Sequence, residues 1–441
     1  MRRSSRGADL QRAESIVVTT EEPSSTAGRA GMLAMTLIVS LFFLWGMANN
    51  LNDILIRQFK KAFELTDFQS GLVQSAFFLG YFLFAIPAGI YMRRYGYKAG
   101  IVLGLVLYAS GAFLFYPAAE AHAYGWFLLA LFVIASGLAF LETSANPFVT
   151  LLGPADSAER RLNLAQAFNP LGSITGVLVG RLFIFSGIEP SVQQLASLSQ
   201  TARDAYFAAE SAAVETPYIV LGVVVSLLAL LVKATRFESI SEPQAAPGPG
   251  SATWRGLIRR KSYAFAVTAQ FFYVGAQVGV WSYLIRYAQG TVSGTPEKTA
   301  ADFLIISLAL FMAGRFVGAA LMRRIAPARL LAAFSSANIV LTAVAIGLPG
   351  KTGLYALVAT SFFMSVMFPT IFALGLRGLG DLRTLGSSFL VMSIVGGAIL
   401  TPLMGAISGY AGIHWSMVVP LLSFIVVLRY ANYTNRRPRR E

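Results

Sequence analysis

The sequence predicts an all-α membrane protein with twelve transmembrane helices in two six-helix pseudo-repeat halves. Composition is the first reason: 56% of the 441 residues are hydrophobic and 13% charged, where a soluble domain carries about 25% charged residues. Mean hydropathy is +0.63. The second is the gathering of apolar residues into twelve runs, each long enough for a bilayer crossing of about 20 residues. The third is a polar gap at 236–262 that leaves six runs on either side. Twelve crossings consume most of the chain and leave short connections. Neither an enzyme nor a sensor with a large soluble signalling domain is therefore expected.

Taken in order, residues 1–30 hold Arg, Ser, Glu and Thr without periodicity, the composition of a disordered tail. The first apolar run starts near Met32 and continues into Ala48-Asn49-Asn50-Leu51-Asn52-Asp53 instead of a small-residue cleavage site. It is expected to be a retained span and not a signal peptide. Further helices are predicted near 68–92, 99–118, 124–152, 162–186 and 216–235, then near 263–288, 300–322, 329–348, 353–377, 385–410 and 413–431. The gap contains Ser-Glu-Pro-Gln-Ala-Ala-Pro-Gly-Pro-Gly-Ser and then Arg259-Arg260-Lys261, which suits a flexible linker. The halves are thus 31–235 and 263–431, with a basic tail at 432–441.

Loop charges test that count, because cytoplasmic loops collect Lys and Arg. With the N-terminus inside, Arg93, Arg94, Lys98, Arg160, Arg161, Arg323, Arg324 and Arg329 all fall on the cytoplasmic side, together with the linker and tail cations. Few cations fall outside, and Arg315 is left within a span. Both ends are expected in the cytoplasm. This asymmetry accounts for the net charge of +14 without a nucleic-acid partner, which would require a clustered basic surface. Cysteine is absent and histidine is limited to His122 and His414, both loop-like, so no metal or haem site is expected. The sequence has no phosphate-binding loop, nucleophile elbow or His-Glu-x-x-His motif either.

An internal repeat supports the two halves. Gly89-Ile-Tyr-Met-Arg93-Arg94 closes the second span, and Gly314-Arg315-Phe-Val-Gly318-Ala-Ala-Leu-Met-Arg323-Arg324 closes the eighth. Asn146-Pro147-Phe148 in the fourth likewise pairs with Phe368-Pro369-Thr370 in the tenth. Parallel repeats of this kind build carriers whose site lies between the halves.

Of 21 acidic residues, Asp53 and Glu142 lie well inside apolar runs. An ionisable group there is expensive unless it meets a wet cavity or a partner, which makes it a functional candidate; a buried ion pair with Arg315 is the structural alternative. Asp53 carries Asn49 and Asn50 at i−4 and i−3 on its own helical face. A carboxyl group among amides can gain and lose a proton as water access changes, so Asp53 is the expected proton site. A sodium site from the same groups is the other reading, and helix–helix hydrogen bonding is the ordinary role for the asparagines. Glu142 has Asn146 at i+4, and its repeat counterpart is Met364, which places the charge in the N-terminal half. It suits either acceptance of hydrogen bonds from sugar hydroxyls or a share in proton coupling. Gln166 and Asn169 on the fifth span, with Gln270, Gln277 and Trp281 on the seventh, complete a stripe of amides and an aromatic wall. Sugars bind to such fixed polar groups beside an apolar surface.

The segments ANNLNDILIRQF, GLVQSAFFLGYF, IPAGIYMRRYGYKAG, FLETSANPFVTLLGP, RLNLAQAFNPLG, AQFFYVGAQVGVWSYLIRYA and GSSFLVMSIVGGAILTP resemble the fucose-galactose-glucose branch of the major facilitator superfamily, and within it the L-fucose:proton symporters. The resemblance runs from about 33 to 430. It implies membrane acids at Asp53 and Glu142 and a helix-five Gln at Gln166. It also implies an inner gate at the repeated loop segments, here Gly89, Arg93, Arg94, Arg315 and Arg323, with Arg93 where the superfamily usually has Asp. Phe368 stands where the branch tends to have Tyr, and is placed in the sugar cavity. The resemblance implies inward symport of a monosaccharide, L-fucose first, with a proton as coupling ion and no cofactor, by a monomer in a bacterial inner membrane. Another sugar on the same fold is the nearest alternative. A drug or lipid exporter is more distant, since the amide stripe is unsuited to a wide apolar cavity.

Overall fold

A computed structural model describes residues 25–65, 67–152, 154–184, 194, 197–235, 256–257 and 259–436. The expected tail up to residue 24, most of the linker, the end of the fifth span and the last five residues lie outside the described residues. No strand occurs among those described. The helices are α1 (Ser25–Ala62), α2 (Asp67–Phe113), α3 (Phe115–Glu120), α4 (Tyr124–Leu151), α5 (Ala158–Gln166), α6 (Phe168–Val179), α7 (Gln200–Ala212) and α8 (Glu215–Ala234). The second half holds α9 (Lys261–Thr291), α10 (Glu297–Leu321), α11 (Pro327–Gly347), α12 (Lys351–Met364), α13 (Met367–Leu376), α14 (Arg383–Met392), α15 (Gly396–Ala411) and α16 (Val418–Asn435). Helix α1 begins inside the segment expected as a tail, and α16 runs past residue 431.

Eleven helical stretches among the described residues are long and apolar enough to cross a membrane. One of them, Leu72–Glu120, has 49 residues. At about 1.5 Å per residue it is more than twice the roughly 30 Å of hydrocarbon. It turns back at Gly96, whose φ of 82° and ψ of 168° interrupt the helix. That conformation strains any residue bearing a Cβ, so one glycine beside Arg93 and Arg94 separates the second and third crossings. The fifth, tenth and eleventh spans depart from the expected single helices: they divide into α5 and α6 at Ala167, into α12 and α13 at Ser365–Val366, and into α14 and α15 at a 3-10 turn, Ser393–Val395.

Burial does not follow the soluble pattern. Helix α8 exposes Val220, Val223, Leu227, Leu230 and Leu231, the surface that meets lipid tails. With lipid as apolar as the interior, helices associate through close packing of small residues. Gly104 on α2 and Gly137 on α4 face each other so closely that a Cβ on Gly137 would stand 2.6 Å from the Gly104 carbonyl oxygen. On the α1–α6 crossing a Cβ on Gly46 would stand 2.0 Å from the Asn169 carbonyl oxygen. In the second half Gly396 lets α15 press on α9, and Gly314 lets α10 press on α12.

The two groups of helices meet chiefly where α5 touches α10 and α13, and where α2 and α4 touch α14. These contacts lie toward the face that carries Arg93, Arg94, Arg323 and Arg324, called here the basic face. At the opposite face His122 sits in a turn, with its Nδ1 2.8 Å from Ser211 Oγ, and His414 in the 3-10 helix Ile413–Met417.

The α2–α4 crossing gives a direct test. Gly137→Leu is expected to destabilise the purified protein by about 1–3 kcal/mol through overpacking, read as a lower melting temperature. Gly125→Ala, at a position with open space around it, is expected to leave the melting temperature unchanged.

Candidate functional site

A cavity of about 540 Å³ lies between the halves, on the side away from the basic face. Its walls come from the outer parts of α1 and α2, from α5, α6 and α13 of the divided fifth and tenth spans, and from α9, α10 and α15. Asn49, Asn50, Gln166, Asn169, Gln277, Trp281 and Phe368 line it, so the structure brings together residues from five separate helical segments that the sequence offered one by one. The asparagines also have packing roles. Asn50 donates to the Gly46 carbonyl at 3.3 Å, and Asn169 donates to the Phe42 carbonyl at 3.3 Å, tying α6 to α1. Trp281 Nε1 donates to Ser361 Oγ at 3.0 Å, which fixes the indole plane against the second half.

Three predicted residues sit behind the wall. Glu142 is 2% exposed, and neither carboxylate oxygen has a hydrogen-bond partner among the described residues. Asn146 is buried beside it and accepts from Gln166 Nε2 at 2.8 Å, so Gln166 carries polarity from the cavity back into α4. Gln270 shares a helical stripe with Gln277, but seven residues amount to about 10 Å along an α-helix. That displacement puts Gln270 below the cavity, in the part packed toward the basic face. Asp53 belongs to α1, and its side chain lies outside the described residues.

Arg315 lies within α10, inside a span as its place in the sequence predicts. It is 5% exposed, lines the cavity from α10, and is the charged residue among the described lining residues. The expectation that the charged wall belongs to the N-terminal half therefore does not hold for these. It forms no ion pair with Glu142; its Nε donates to the Ser365 carbonyl at 2.9 Å and its Nη1 to the Gln166 carbonyl. The guanidinium carbon lies 4.7 Å from the Phe311 ring centroid. Below the cavity, Trp45 of the first half meets Phe368 of the second edge to face, with centroids 6.4 Å apart, and Tyr273 and Phe372 flank Phe368. Sequence reasoning missed Trp45 and Tyr81 as lining residues, because an aromatic residue in a span looks like packing.

Of the residues expected to close the basic side, Gly89 lies at the contact between the halves, and further contacts come from residues that the sequence did not single out. Arg93, Arg94 and Arg323 are exposed, and Arg94 lies over Tyr95 of its own turn. The contacts across the halves are an ion pair of Arg377 Nε with Glu159 Oε1 at 2.7 Å and a hydrogen bond from Asn163 Nδ2 to Thr370 Oγ1 at 3.2 Å. A third is the meeting of Gly89 with Ser388, where a Cβ on Gly89 would stand 2.0 Å from the serine oxygen. Glu159 and Asn163 sit one turn apart at the start of the fifth span, and nothing in their local sequence distinguishes them from a solvated helix end.

A carrier architecture, with a cavity between the halves and a closed basic end, agrees with comparison to known proteins. The family model described as the Major Facilitator Superfamily matches residues 31–402. The chain belongs to the Major Facilitator Superfamily. Among members of this superfamily, an L-fucose-proton symporter of Escherichia coli is 46% identical over 92% of this chain and 94% of its own. A glucose/galactose transporter of Brucella abortus is 38% identical over 90% of this chain and 93% of its own. The crystal structure of the superfamily transporter FucP in the outward conformation matches with a TM-score of 0.85 at 44% identity, over 92% of this chain and all of that one.

The Glu159–Arg377 pair is expected to hold this superfamily member closed at the basic face. The chain contains no cysteine, so Met322→Cys, at the Asn163 contact, is a single reporter for thiol labelling from that side. Glu159→Gln is expected to raise the labelling rate about fivefold, the equivalent of about 1 kcal/mol of lost ion pair. An unchanged rate would remove the pair from the closing machinery.

Proposed function

We propose that the chain imports a monosaccharide, L-fucose first, together with a proton, by alternating access across a bacterial inner membrane. The observation that carries this reading is the cavity itself. It is walled by amides and aromatic rings and lies between two helical groups that are closed at one end, in a chain close in sequence to a fucose-proton symporter over nearly its whole length. The amides of Asn49, Asn50, Gln166, Asn169 and Gln277 serve the sugar hydroxyls, and Trp45, Trp281 and Phe368 serve its apolar faces. Phe368 offers a ring without a hydroxyl, which suits the methyl carbon of a 6-deoxy sugar.

The basic face is the cytoplasmic one, following the distribution of Arg and Lys, and both termini lie there. Sugar and proton enter from the other side. Asp53 takes the proton, and Glu142, off the cavity and without a polar partner among the described residues, shares in that coupling instead of holding the sugar. The protein acts as a monomer, needs no cofactor, and makes or breaks no covalent bond. With about 100 mV and one pH unit across the membrane, one proton supplies about 3.7 kcal/mol, enough for roughly 500-fold accumulation.

Purified protein in liposomes is expected to accumulate L-fucose under an imposed pH gradient, with galactose no better than an equal competitor. Uptake that requires sodium and survives a protonophore, or a strong preference for galactose, would overturn the assignment. Asp53→Asn imitates the protonated acid without titrating. Preloaded vesicles are expected to keep exchanging labelled for unlabelled sugar while uphill uptake disappears. Uphill uptake that persists would move the proton to Glu142.

Glu142→Gln separates the remaining roles. Sugar affinity by calorimetry is expected to stay near that of the unaltered protein, while the pH dependence of uptake changes. A tenfold loss of affinity, about 1.4 kcal/mol, would make Glu142 a sugar ligand.

A further inference from the structure

Two prolines determine where the fifth and tenth spans break. A proline in a helix lacks the N–H that would bond the carbonyl four residues back, and its ring clashes with that carbonyl. For Pro170 the carbonyl is that of Gln166, and for Pro369 it is that of Ser365. Helix α5 ends at Gln166 and α12 ends just before Ser365. Both carbonyls lie in the interior of the membrane domain, where a backbone acceptor has to find a partner within the protein. Both find the same one, since Arg315 donates from Nη1 to Gln166 and from Nε to Ser365. One carbonyl belongs to the first half and the other to the second.

Proline alone does not open such a break. Pro87, Pro147 and Pro402 lie within continuous helices. The neighbouring Gly314 supplies the approach: a Cβ there would stand 2.3 Å from the Phe362 carbonyl oxygen, so α10 lies directly on the end of α12 and delivers Arg315 to the break. The planar guanidinium, with donors pointing in two directions, can span both acceptors, as an ammonium on a flexible stem cannot. The Phe311 ring covers its face.

We propose that Arg315 is a positioning residue that clamps the two halves together on the basic side of the cavity by bonding the carbonyls released by Pro170 and Pro369. Rocking to the state open at the basic face separates those carbonyls and ends the double bond. The clamp thus favours the state with the basic side closed, and its release is part of each transport cycle. The proposal rests on the reading of the chain as an alternating-access carrier.

The test uses the Met322→Cys reporter in full-length protein, labelled from the basic side with and without L-fucose. Arg315→Gln is expected to raise labelling at least tenfold, because hydrogen bonds from a charged donor are among the strong ones. Arg315→Lys, with the charge kept but no fork, is expected to fall between. Pro170→Ala and Pro369→Ala each restore an N–H that competes for its carbonyl, so each is expected to raise labelling by itself and to add nothing in the Arg315→Gln background. That non-additivity belongs to a shared interaction and would not arise from general loosening. If Arg315→Gln does not fold, as judged by size-exclusion chromatography, Arg315→Lys and the two proline variants decide: raised labelling in all three supports the clamp. Labelling equal to that of the reporter alone, or proline and arginine effects that add independently, overturns it. If L-fucose changes the labelling of the reporter while the variants behave like it, only the clamp is lost. If L-fucose has no effect on any of them, the carrier reading itself fails, and the clamp with it.

Discussion

A bilayer interior has no water to satisfy backbone N–H and C=O groups, and that constraint organises this molecule. It makes helices the only economical way across. It also makes every interruption conspicuous, because each break leaves acceptors that must be served from within. The fifth and tenth spans are interrupted at mid-depth, beside the cavity, and the side chain that serves both interruptions is a cation from a third span. Places where the helical rule is broken are thus the places where the halves are joined. The other spans, several of them continuous and one interrupted by a 3-10 turn at Ser393–Val395, form the scaffold that holds those two breaks in register.

Packing within each half and packing between halves use different chemistry. Inside a half, glycines bring backbones together at Gly104, Gly137 and Gly46 so closely that added methyl groups would overlap carbonyl oxygens. Such surfaces cannot slide without losing contact. Between halves, polar bonds stand beside the aromatic contacts: the Glu159–Arg377 pair, the Asn163–Thr370 hydrogen bond and the Arg315 donor to Gln166, with Trp45 against Phe368. Bonds of this type exchange for water at modest net cost, which suits an interface that must part and close repeatedly.

The fold was nearly all legible in the sequence, because hydropathy, loop charge and repeats report on the bilayer, and the bilayer imposes most of the architecture. Legibility fell with distance from that constraint. Gln166, Asn169, Gln277 and Trp281 were found because helical spacing puts them on a common stripe, and the cavity does lie on that stripe. Gln270 was misplaced since spacing gives a face and no depth. Glu142 stood out as an acid in an apolar run, yet whether it faces the cavity or the layer behind depends on how α4 and α5 pack, which a single helix does not encode. Arg315 was visible as a cation inside a span, but its partners are backbone carbonyls, and backbone carbonyls have no letter in the sequence. Glu159 and Arg377, 218 positions apart, meet only through the closure of the two halves.

The aromatic layer under the cavity, Trp45 against Phe368 with Tyr273 and Phe372 alongside, has a thermal consequence. When the basic side opens, these rings exchange contact with one another for contact with water, and hydration of apolar surface carries a positive heat capacity. The balance between the two states therefore cannot follow a straight van 't Hoff line. It bends with temperature, so a carrier poised for alternation at its host's growth temperature drifts toward one side of the cycle when warmed or cooled, even though no polar contact has been altered.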